Sequence, residues 1–257
     1  MLRKIFFAVF CLMVAVTGSS YAYKENIVAA WTFDADEGDT IIDVSGNANH
    51  GTLIGNATRV DGKFGEALEF DGGTGYIDVP FADSLMLLNE GSLTVAAWIV
   101  ANEVPAANKV ILQQLDANGT GRTWLYVTSD TSGEIASYLG NGRTSSGILV
   151  DSGAWYHVAA VVTEKGATDS VQMYVDGKPE GDPFESGMES CEGAFHIAAH
   201  KTPTSNVWNG IIDELALFNK ALSQAEIKNL MTKGIVGGAA VEPESKLAIT
   251  WGNIKTK

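Results

Sequence analysis

The sequence predicts an all-β protein, a two-sheet antiparallel jelly-roll sandwich with one short C-terminal helix. Three observations predict this class. About a dozen short apolar or alternating segments follow one another at hairpin spacing. No helical period occurs before residue 223, and the chain contains 28 glycines. Many short strands joined by glycine-containing turns are typical of sandwiches and barrels.

Residues 1–22 are predicted to be a secretory signal peptide. Arg3 and Lys4 precede an apolar run over residues 5–16, and small residues lead to Ala22. This order is that of a charged region, an apolar region and a cleavage site. The run is shorter than the ~20 residues of a membrane-spanning helix, and no later stretch approaches that length. We therefore expect a secreted or periplasmic protein with no transmembrane segment, whose jelly-roll domain covers residues 23–234.

The predicted strands are separated by residue pairs that favour tight turns. Asp176-Gly177 is the clearest, because the alternating segment 171–175 runs directly into it. The predicted strands cover residues 27–33, 51–60, 66–71, 75–80, 92–101, 109–116, 122–129, 134–140, 155–163, 170–175, 195–200 and 207–218.

One helix is predicted after the last long strand. Ser223 is the expected N-cap, with Glu226 three residues later in a capping box, and Leu222 can pack against Ile227. Gly234 is expected to end the helix. Residues 235–257 read as a linker and C-terminal tail, either docked on the sandwich edge or loosely ordered, with a sorting or partner-binding role as the alternative.

The charge balance limits the class of partner. The formal net charge is −14, which argues against nucleic acid and anionic lipid. Neutral sugars and divalent cations remain compatible with it. Apart from Cys11 in the predicted signal peptide, Cys191 is the only cysteine, so the mature chain has no intrachain disulfide.

The segment 209–219 is the most informative strand. At a two-residue period both of its faces are apolar, and each face is interrupted by one carboxylate, Asp213 or Glu214. A strand sends these neighbours to opposite faces. Because an unpartnered buried carboxylate is costly, at least one should meet a cation, a group of donors or water. Nothing nearby completes a catalytic set, so a bound metal ion is the preferred interpretation.

The segment 43–51 is a loop rich in oxygen ligands. Asp43, Ser45, Asn47 and Asn49 supply side-chain oxygens of the kind that Ca²⁺ binds. The alternative is that these side chains only bond the loop's own backbone.

The order of segments resembles the laminin-G-like jelly roll of the concanavalin A-like lectin/glucanase superfamily, in its bacterial secreted form. The resemblance covers residues 27–233. It is carried by the segments 31–33, 43–51, 67–72, 76–80, 92–98, 155–159, 173–178, 209–215 and 221–227. It implies two packed antiparallel sheets with ligands bound by loops or by the concave face. Members of this family are usually accessory modules that bind carbohydrate, cell surface or protein, often with one structural calcium ion.

The resemblance supports a structural Ca²⁺ near the 43–51 loop. Asp43 and Asp213 are the first expected ligands, since these folds pair their terminal strands, and Asn47 and Asn49 follow.

A catalytic role has little support in the sequence. The superfamily's glucanases carry a Glu-x-Asp-x-Glu strand that places carboxylates on one face, and no strand here has that pattern. His196 and His200 have the spacing of zinc ligands on a helix. Their segment is predicted to be a strand, however, in which residues four apart are separated by ~13 Å.

Candidate sugar-binding residues combine aromatic faces with planar polar side chains. They are Trp124 and Tyr126 beside Arg122, Trp208 with Asn206 and Asn209, and Arg143. For both tryptophans the alternative is packing in the core or at its rim.

Three functions remain open at this point. The first is a secreted, non-catalytic module that binds carbohydrate or a cell-surface polymer. The second is a protein-interaction or structural domain of an exported protein, and the third is a glycoside hydrolase.

Overall fold

The structure is a computed structural model that describes residues 23–86, 91–105, 107–115, 122–127, 133–139, 142–166, 168–186, 192–200 and 206–239. Within these ranges the chain forms two antiparallel eight-stranded sheets and one α-helix near the C-terminus. The predicted jelly-roll sandwich is therefore confirmed. The predicted signal peptide and tail residues 240–257 lie outside the described residues. No helix in the described ranges is long and apolar enough to cross a membrane.

Sheet A contains the central strand of the fold. Its strands follow the order β14-β13-β12-β7-β16-β5-β4, and β1 also pairs with β16. Their ranges are β1 Ile27–Trp31, β4 Ala57–Asp61, β5 Glu66–Asp71, β7 Leu93–Ala101, β12 Trp155–Glu164, β13 Asp169–Val175, β14 Lys178–Ser186 and β16 Asn209–Phe218.

Sheet B packs face to face against sheet A, in the order β11-β10-β9-β8-β15-β6-β3-β2. Its strands are β2 Thr40–Ile41, β3 Gly51–Ile54, β6 Tyr76–Val79, β8 Lys109–Gln114, β9 Arg122–Val127, β10 Glu134–Leu139, β11 Gly142–Leu149 and β15 Phe195–Ile197.

The main core lies between the sheets. It combines aliphatic side chains of both sheets with large aromatic rings that include Trp31, Phe70, Trp124, Phe195 and Trp208. These five side chains are completely buried. Fully burying a side chain of this size contributes about 1.5–3 kcal/mol of hydrophobic free energy, so this layer is the main source of stability.

The helix α1, Gln224–Ala239, covers part of the outer face of sheet A. Beneath it the sheet presents three alanines, Ala96, Ala159 and Ala216, on three neighbouring strands. Their short side chains let Ile227 and Leu230 of the helix approach the sheet and form a second apolar cluster. The helix therefore occupies a face that an uncovered sandwich would leave to ligands.

All twelve predicted strands are present, but one of them is two strands in the structure, and three observed strands were not predicted. The segment 51–60 divides into β3 and β4, which belong to different sheets. The missed strands are β2, β11 and β14. Strand β14 contains Pro179, Gly181 and Pro183. Proline and glycine argue against a strand when only the sequence is known, but they are tolerated in an edge strand such as β14.

The predicted turn and cap are both observed. Asp176 and Gly177 both have positive φ, 48° and 71°, as a two-residue hairpin turn requires. At the start of α1, the Ser223 N–H donates to Oε2 of Glu226 at 2.8 Å and the Glu226 N–H donates to Oγ of Ser223 at 3.3 Å. The first helical segment ends at Gly234, as predicted, where the backbone is non-helical (φ 71°). A further helical segment, which was not predicted, follows to Ala239.

Substituting Ser223→Ala should lower the unfolding free energy by about 1 kcal/mol, because a backbone donor of the first turn loses its acceptor. Thermal unfolding should then occur roughly 2–4 °C lower. Thr232→Ala is the matched control, since the Thr232 hydroxyl is exposed and donates only to carbonyls of its own helix. Equal melting temperatures for Ser223→Ala and the unmodified protein would contradict a stabilising cap.

Candidate functional site

The carboxylate of Asp43 organises the 43–51 loop. Its Oδ1 accepts the N–H groups of Ala30 and Ser45 at 2.8 and 2.9 Å. Its Oδ2 accepts the Ser45 hydroxyl and the Asn49 N–H at 2.7 and 2.9 Å. Four donors fill the acceptor positions of one carboxylate. Asp43 therefore behaves as a loop organiser in this arrangement.

The two asparagines of this loop turn their amide nitrogens toward the protein. Both Nδ2 atoms donate to the Val28 carbonyl at 2.9 Å, and Oδ1 of Asn49 accepts the Ser84 hydroxyl at 2.8 Å. These contacts tie the loop to β1. The oxygens of Asp43 and Asn49 are thus used by protein donors, and this part of the loop does not fit a calcium ion as arranged here.

Asp213 lies elsewhere, on β16 against the loop that follows β4. The backbone N–H groups of Lys63 and Phe64 donate to its Oδ2 at 2.8 and 3.0 Å. None of these partners is shared with Asp43, Asn47 or Asn49, whose side chains bond to β1, to the 43–51 loop and to Ser84.

The close approach of this loop to Asp213 depends on glycine. A Cβ at Gly62 would lie 2.6 Å from Oδ2 of Asp213. A larger residue at position 62 would push the loop away from the carboxylate and weaken the two hydrogen bonds that it receives.

The predicted opposite orientation of Asp213 and Glu214 is wrong, because β16 contains a β-bulge. The pairing with β7 shifts between Asp213 and Ala216, and Glu214 has φ 51°. One extra residue at this point restores the alternation afterwards, with Leu215 in the main core and Ala216 under the helix. Glu214 reaches the helix, where its Oε2 accepts the Ile235 N–H.

Both carboxyls of the bulge are buried and electrostatically unusual. Burial raises the pKa of Asp213 to about 7, although the amides of Phe64 and Lys63 oppose the shift. Burial also raises the pKa of Glu214 to about 7, with the charge of Asp213 adding to the shift.

One oxygen of Asp213 is left without a partner. Oδ1 is buried and has no hydrogen-bond partner among the described residues. No group of three or more His, Cys, Asp or Glu side chains in the described ranges forms a metal-binding cluster. Of the predicted ligands, Asp213 is the one whose buried oxygen still lacks a donor or a cation.

The predicted sugar-binding tryptophans lie in the main core. Trp124 and Trp208 are 0% exposed, so neither ring offers a surface to a ligand in this structure. Their core interpretation is the one that the structure favours. The side chain of Arg122 lies outside the described part of the chain.

A half-open cavity of about 210 Å³ lies on the outer face of sheet B, on the side away from the main core. It is lined by Asn108, Val110, Tyr126, Tyr138, His200 and Asn206. Val110 and Tyr126 pair directly between β8 and β9 and form its buried floor. Tyr138 is 48% exposed and stands at the rim. Arg143 is the register partner of Tyr138 on β11, which places this predicted residue beside the cavity.

Bulges in β8 and β9 decide which aromatic ring reaches this cavity. The pairs Val110–Tyr126 and Leu112–Leu125 place two residues of β8 against one of β9, and the next pair is Gln113–Thr123. In consequence Trp124 and Leu125 both face the core, whereas Tyr126 faces outward. A strict alternation predicts the same face for Trp124 and Tyr126.

The walls formed by His200 and Asn206 depend on two residues with left-handed backbone. Strand β15 ends at Ile197, three residues earlier than predicted, and Ala198 follows with φ 71°. The Ala198 N–H donates to the Ile111 carbonyl at 2.9 Å, and Asn206, at φ 54°, accepts the Val110 N–H at 2.9 Å. The backbones of Ala198 and Asn206 are therefore both hydrogen-bonded to β8.

The turn after β15 also changes the predicted relation of the two histidines. Nδ1 of His196 lies 3.3 Å from the His200 carbonyl, because the chain folds back instead of extending.

Sequence reasoning found part of this cavity. Tyr126 and Asn206 were among the candidates, but as companions of Trp124 and Trp208. Tyr138, His200 and Asn108 were missed, because no local motif joins three strands and a later turn.

A second, larger cavity of about 470 Å³ lies beside the 43–51 loop. The described residues of its lining include no aromatic side chain. They are Lys24, Glu25, Ile27, Val28, Ser45, Asn47, Asp83, Ser84, Met86 and Asn219. The smaller cavity on sheet B is therefore the better candidate for a ligand with an apolar face.

The buried carboxyls predict an unusual pH dependence of stability. The pKa of Asp213 rises from 3.8 unfolded to about 7 folded, so between these values the folded state holds a proton that the unfolded state has lost. The contribution of Asp213 to the unfolding free energy of metal-free protein should therefore be greatest below pH 4 and fall as the pH rises to 7. Denaturant titrations at several pH values, in chelator, measure this slope.

Asp213→Asn should reduce that slope, since the amide does not titrate, and the part due to Glu214, whose pKa is also raised to about 7, should remain. Asp39→Asn, at an exposed position, should leave it as it is. The same fall in Asp213→Asn as in the unmodified chain would show that Asp213 is not its source.

Comparison with solved structures supports the fold. The binding domain of Paraclostridial Mosquitocidal Protein 1 superposes with a TM-score of 0.64 at 16% identity, covering 81% of this chain and 52% of that one. Domain 4 of AbnA, a GH43 extracellular arabinanase from Geobacillus stearothermophilus in complex with arabinotriose, gives 0.59 at 19%, covering 80% and 98%. Trypanosoma rangeli sialidase in complex with sialic acid gives 0.61 at 19%, covering 80% of this chain.

The chain spans only about a third of the sialidase, 32% of its length. No curated protein matches the chain significantly in sequence. The sequence model of the Laminin_G_3 family, described as concanavalin A-like lectin/glucanases superfamily, matches residues 71–228. This match covers more than half of the chain, which therefore belongs to the Laminin_G_3 family of the concanavalin A-like lectin/glucanase superfamily.

Proposed function

We propose that this protein is a non-catalytic carbohydrate-binding module that holds a sugar in the cavity on sheet B. The observation that carries the proposal is the lining of that cavity. Two tyrosines and two asparagines surround a half-open space on the sheet face opposite the one that α1 covers.

The side chains around the cavity suit a sugar chemically. A sugar ring has an apolar face and a rim of hydroxyls. Tyrosine offers an apolar ring with one polar tip, and an asparagine amide offers both an acceptor and two donors to neighbouring hydroxyls. Val110 adds an apolar floor. This mixture of apolar surface and a few placed polar groups is typical of small-molecule sites.

The same lining disfavours hydrolysis at this site. Glycoside hydrolases commonly need two carboxyl groups, ~5–5.5 Å apart for retention or ~6.5–9.5 Å for inversion. No Asp or Glu is among the described residues that line the cavity. The adjacent pair Asp213 and Glu214 is buried on sheet A and is held by backbone amides.

The structural neighbours are compatible with a binding role. One is a domain of an arabinanase in complex with arabinotriose, and another is the binding domain of a toxin. A protein-interaction role for this exported domain is the alternative. It would be favoured if no glycan binds.

We also propose a structural calcium ion at Asp213. The support is the buried Oδ1 that lacks a partner and the negative charge of Asp34, which acts on the same carboxyl. When bound, the ion would supply the positive charge that the buried carboxylate lacks. The residues of this chain would hold the ion through Asp213, while Asp43 and Asn49 hold the 43–51 loop through protein hydrogen bonds.

Removing the Tyr138 ring should weaken glycan binding, and it should not unfold the protein because this side chain is 48% exposed. A glycan array identifies the ligand, and calorimetry then compares variants. We expect Tyr138→Ala to weaken binding at least about tenfold, which corresponds to 1.4 kcal/mol. Tyr138→Phe, which keeps the ring, should weaken it less.

Phe81→Ala removes an aromatic ring that is 38% exposed outside the cavity, and it should bind like the unmodified protein. Unchanged affinity in Tyr138→Ala would exclude the cavity as the sugar site. Absence of any glycan ligand would favour the protein-interaction alternative.

Calcium should raise the melting temperature, because an ion that binds only the folded state stabilises it. The rise should disappear in Asp213→Asn and persist in Asp43→Asn, measured as the shift between EDTA and added Ca²⁺. Asp43→Asn is expected to lower the starting temperature, since it weakens the loop contacts. An equal calcium shift in Asp213→Asn and the unmodified protein would remove Asp213 from the ion site.

A further inference from the structure

The size of the cavity on sheet B limits how much of a glycan it can hold. Its volume is about 210 Å³, below the ~300–1,000 Å³ that pockets for drug-sized ligands occupy. His200 and Asn206 bound it on one side, and the Tyr138 ring stands at its rim. The space therefore suits a single ring more than a chain of several.

The sheet face beside the cavity does not continue as an open track. Three residues further along β8 from Val110, the outward row shared with β15 and β6 consists of Gln113, His196 and Asp78. Gln113 is 1% exposed and His196 is 7% exposed, whereas the side chain of Asp78, at the far end of the row, is 41% exposed. A chain that lies across the strands would need these positions open, because each neighbouring strand advances it by only ~4.8 Å.

The turn after β15 separates the cavity from this region. The His196 ring contacts the His200 carbonyl through Nδ1 at 3.3 Å and the Asp78 carboxylate through Nε2 at 3.4 Å. Tyr76 packs on the same ring, with 5.0 Å between ring centroids. The three side chains form a compact group on the far side of His200, whose own side chain lines the cavity.

The charges of the lining indicate the class of sugar. No Lys, Arg, Asp or Glu occurs among the described lining residues, and the whole chain carries a net charge of −14. An acidic sugar would meet an unfavourable long-range field. The basic residue Arg143 lies beside the rim as the register partner of Tyr138 and not in the lining. Amide and phenol groups instead pair with neutral hydroxyls.

We propose that the cavity recognises one neutral sugar unit at the end of a glycan, with the remainder of the chain leaving past Tyr138 into solvent. This inference rests on the proposed function, because it specifies the ligand of the same cavity. Recognition of a chain end implies that the affinity depends on the terminal unit and not on chain length.

The test uses an array of neutral and acidic glycans with the full-length protein. Calorimetry then follows on the best ligand, its terminal monosaccharide and longer oligomers of the same series. We expect affinities within about threefold across the series, less than 1 kcal/mol. Enzymatic removal of the terminal unit should abolish binding. Selective binding of acidic glycans would overturn the neutral assignment.

Tyr76→Ala separates this inference from the alternative of a chain lying across the sheet. Tyr76 lies outside the cavity but beside the path such a chain would take, so we expect the same affinity as the unmodified protein for every oligomer. Affinity that grows with chain length, and is reduced in Tyr76→Ala for long oligomers only, would overturn the proposal while leaving sugar binding intact. If Tyr138→Ala and the unmodified protein bind every glycan equally, the proposed function fails together with it.

Discussion

The buried carboxylate of Asp213 is the constraint around which sheet A is assembled. It lies on β16, which pairs with β1, β5 and β7, and its Oδ2 is held by amides 149 and 150 residues earlier in the chain. Because a buried charge without donors is strongly unfavourable, the contact between the loop after β4 and β16 supports the central position of this strand.

The outer faces of the two sheets differ because sheet A carries small side chains where the helix lies. Alanines on β7, β12 and β16 give α1 room to lie on sheet A, and the helix seals that face with its own apolar residues. Among the described residues, sheet B has no such alanine row beneath a helix, and its outer face carries Tyr76, Tyr126 and Tyr138 instead. The outer face of sheet A is thus buried under the helix, whereas the outer face of sheet B holds the half-open cavity.

Periodicity and turn pairs were sufficient to predict most strands, the Asp176-Gly177 turn and the capped helix, because each depends on neighbouring residues only. Prediction of the site was weaker, since the cavity joins β8, β9, β10 and the segment after β15. The alternation rule also failed where extra residues occur. Glu214 adds a residue within β16, and Trp124 turns inward beside Leu125, so neither orientation follows from counting by two.

The bulges of β8 and β9 have a consequence for how such a surface could diversify. Deleting or inserting one residue there would exchange the inward and outward orientations of the rings that follow it in the strand. A change in strand length of one residue would therefore be enough to bring a core ring such as Trp124 to the cavity face, with no aromatic residue substituted.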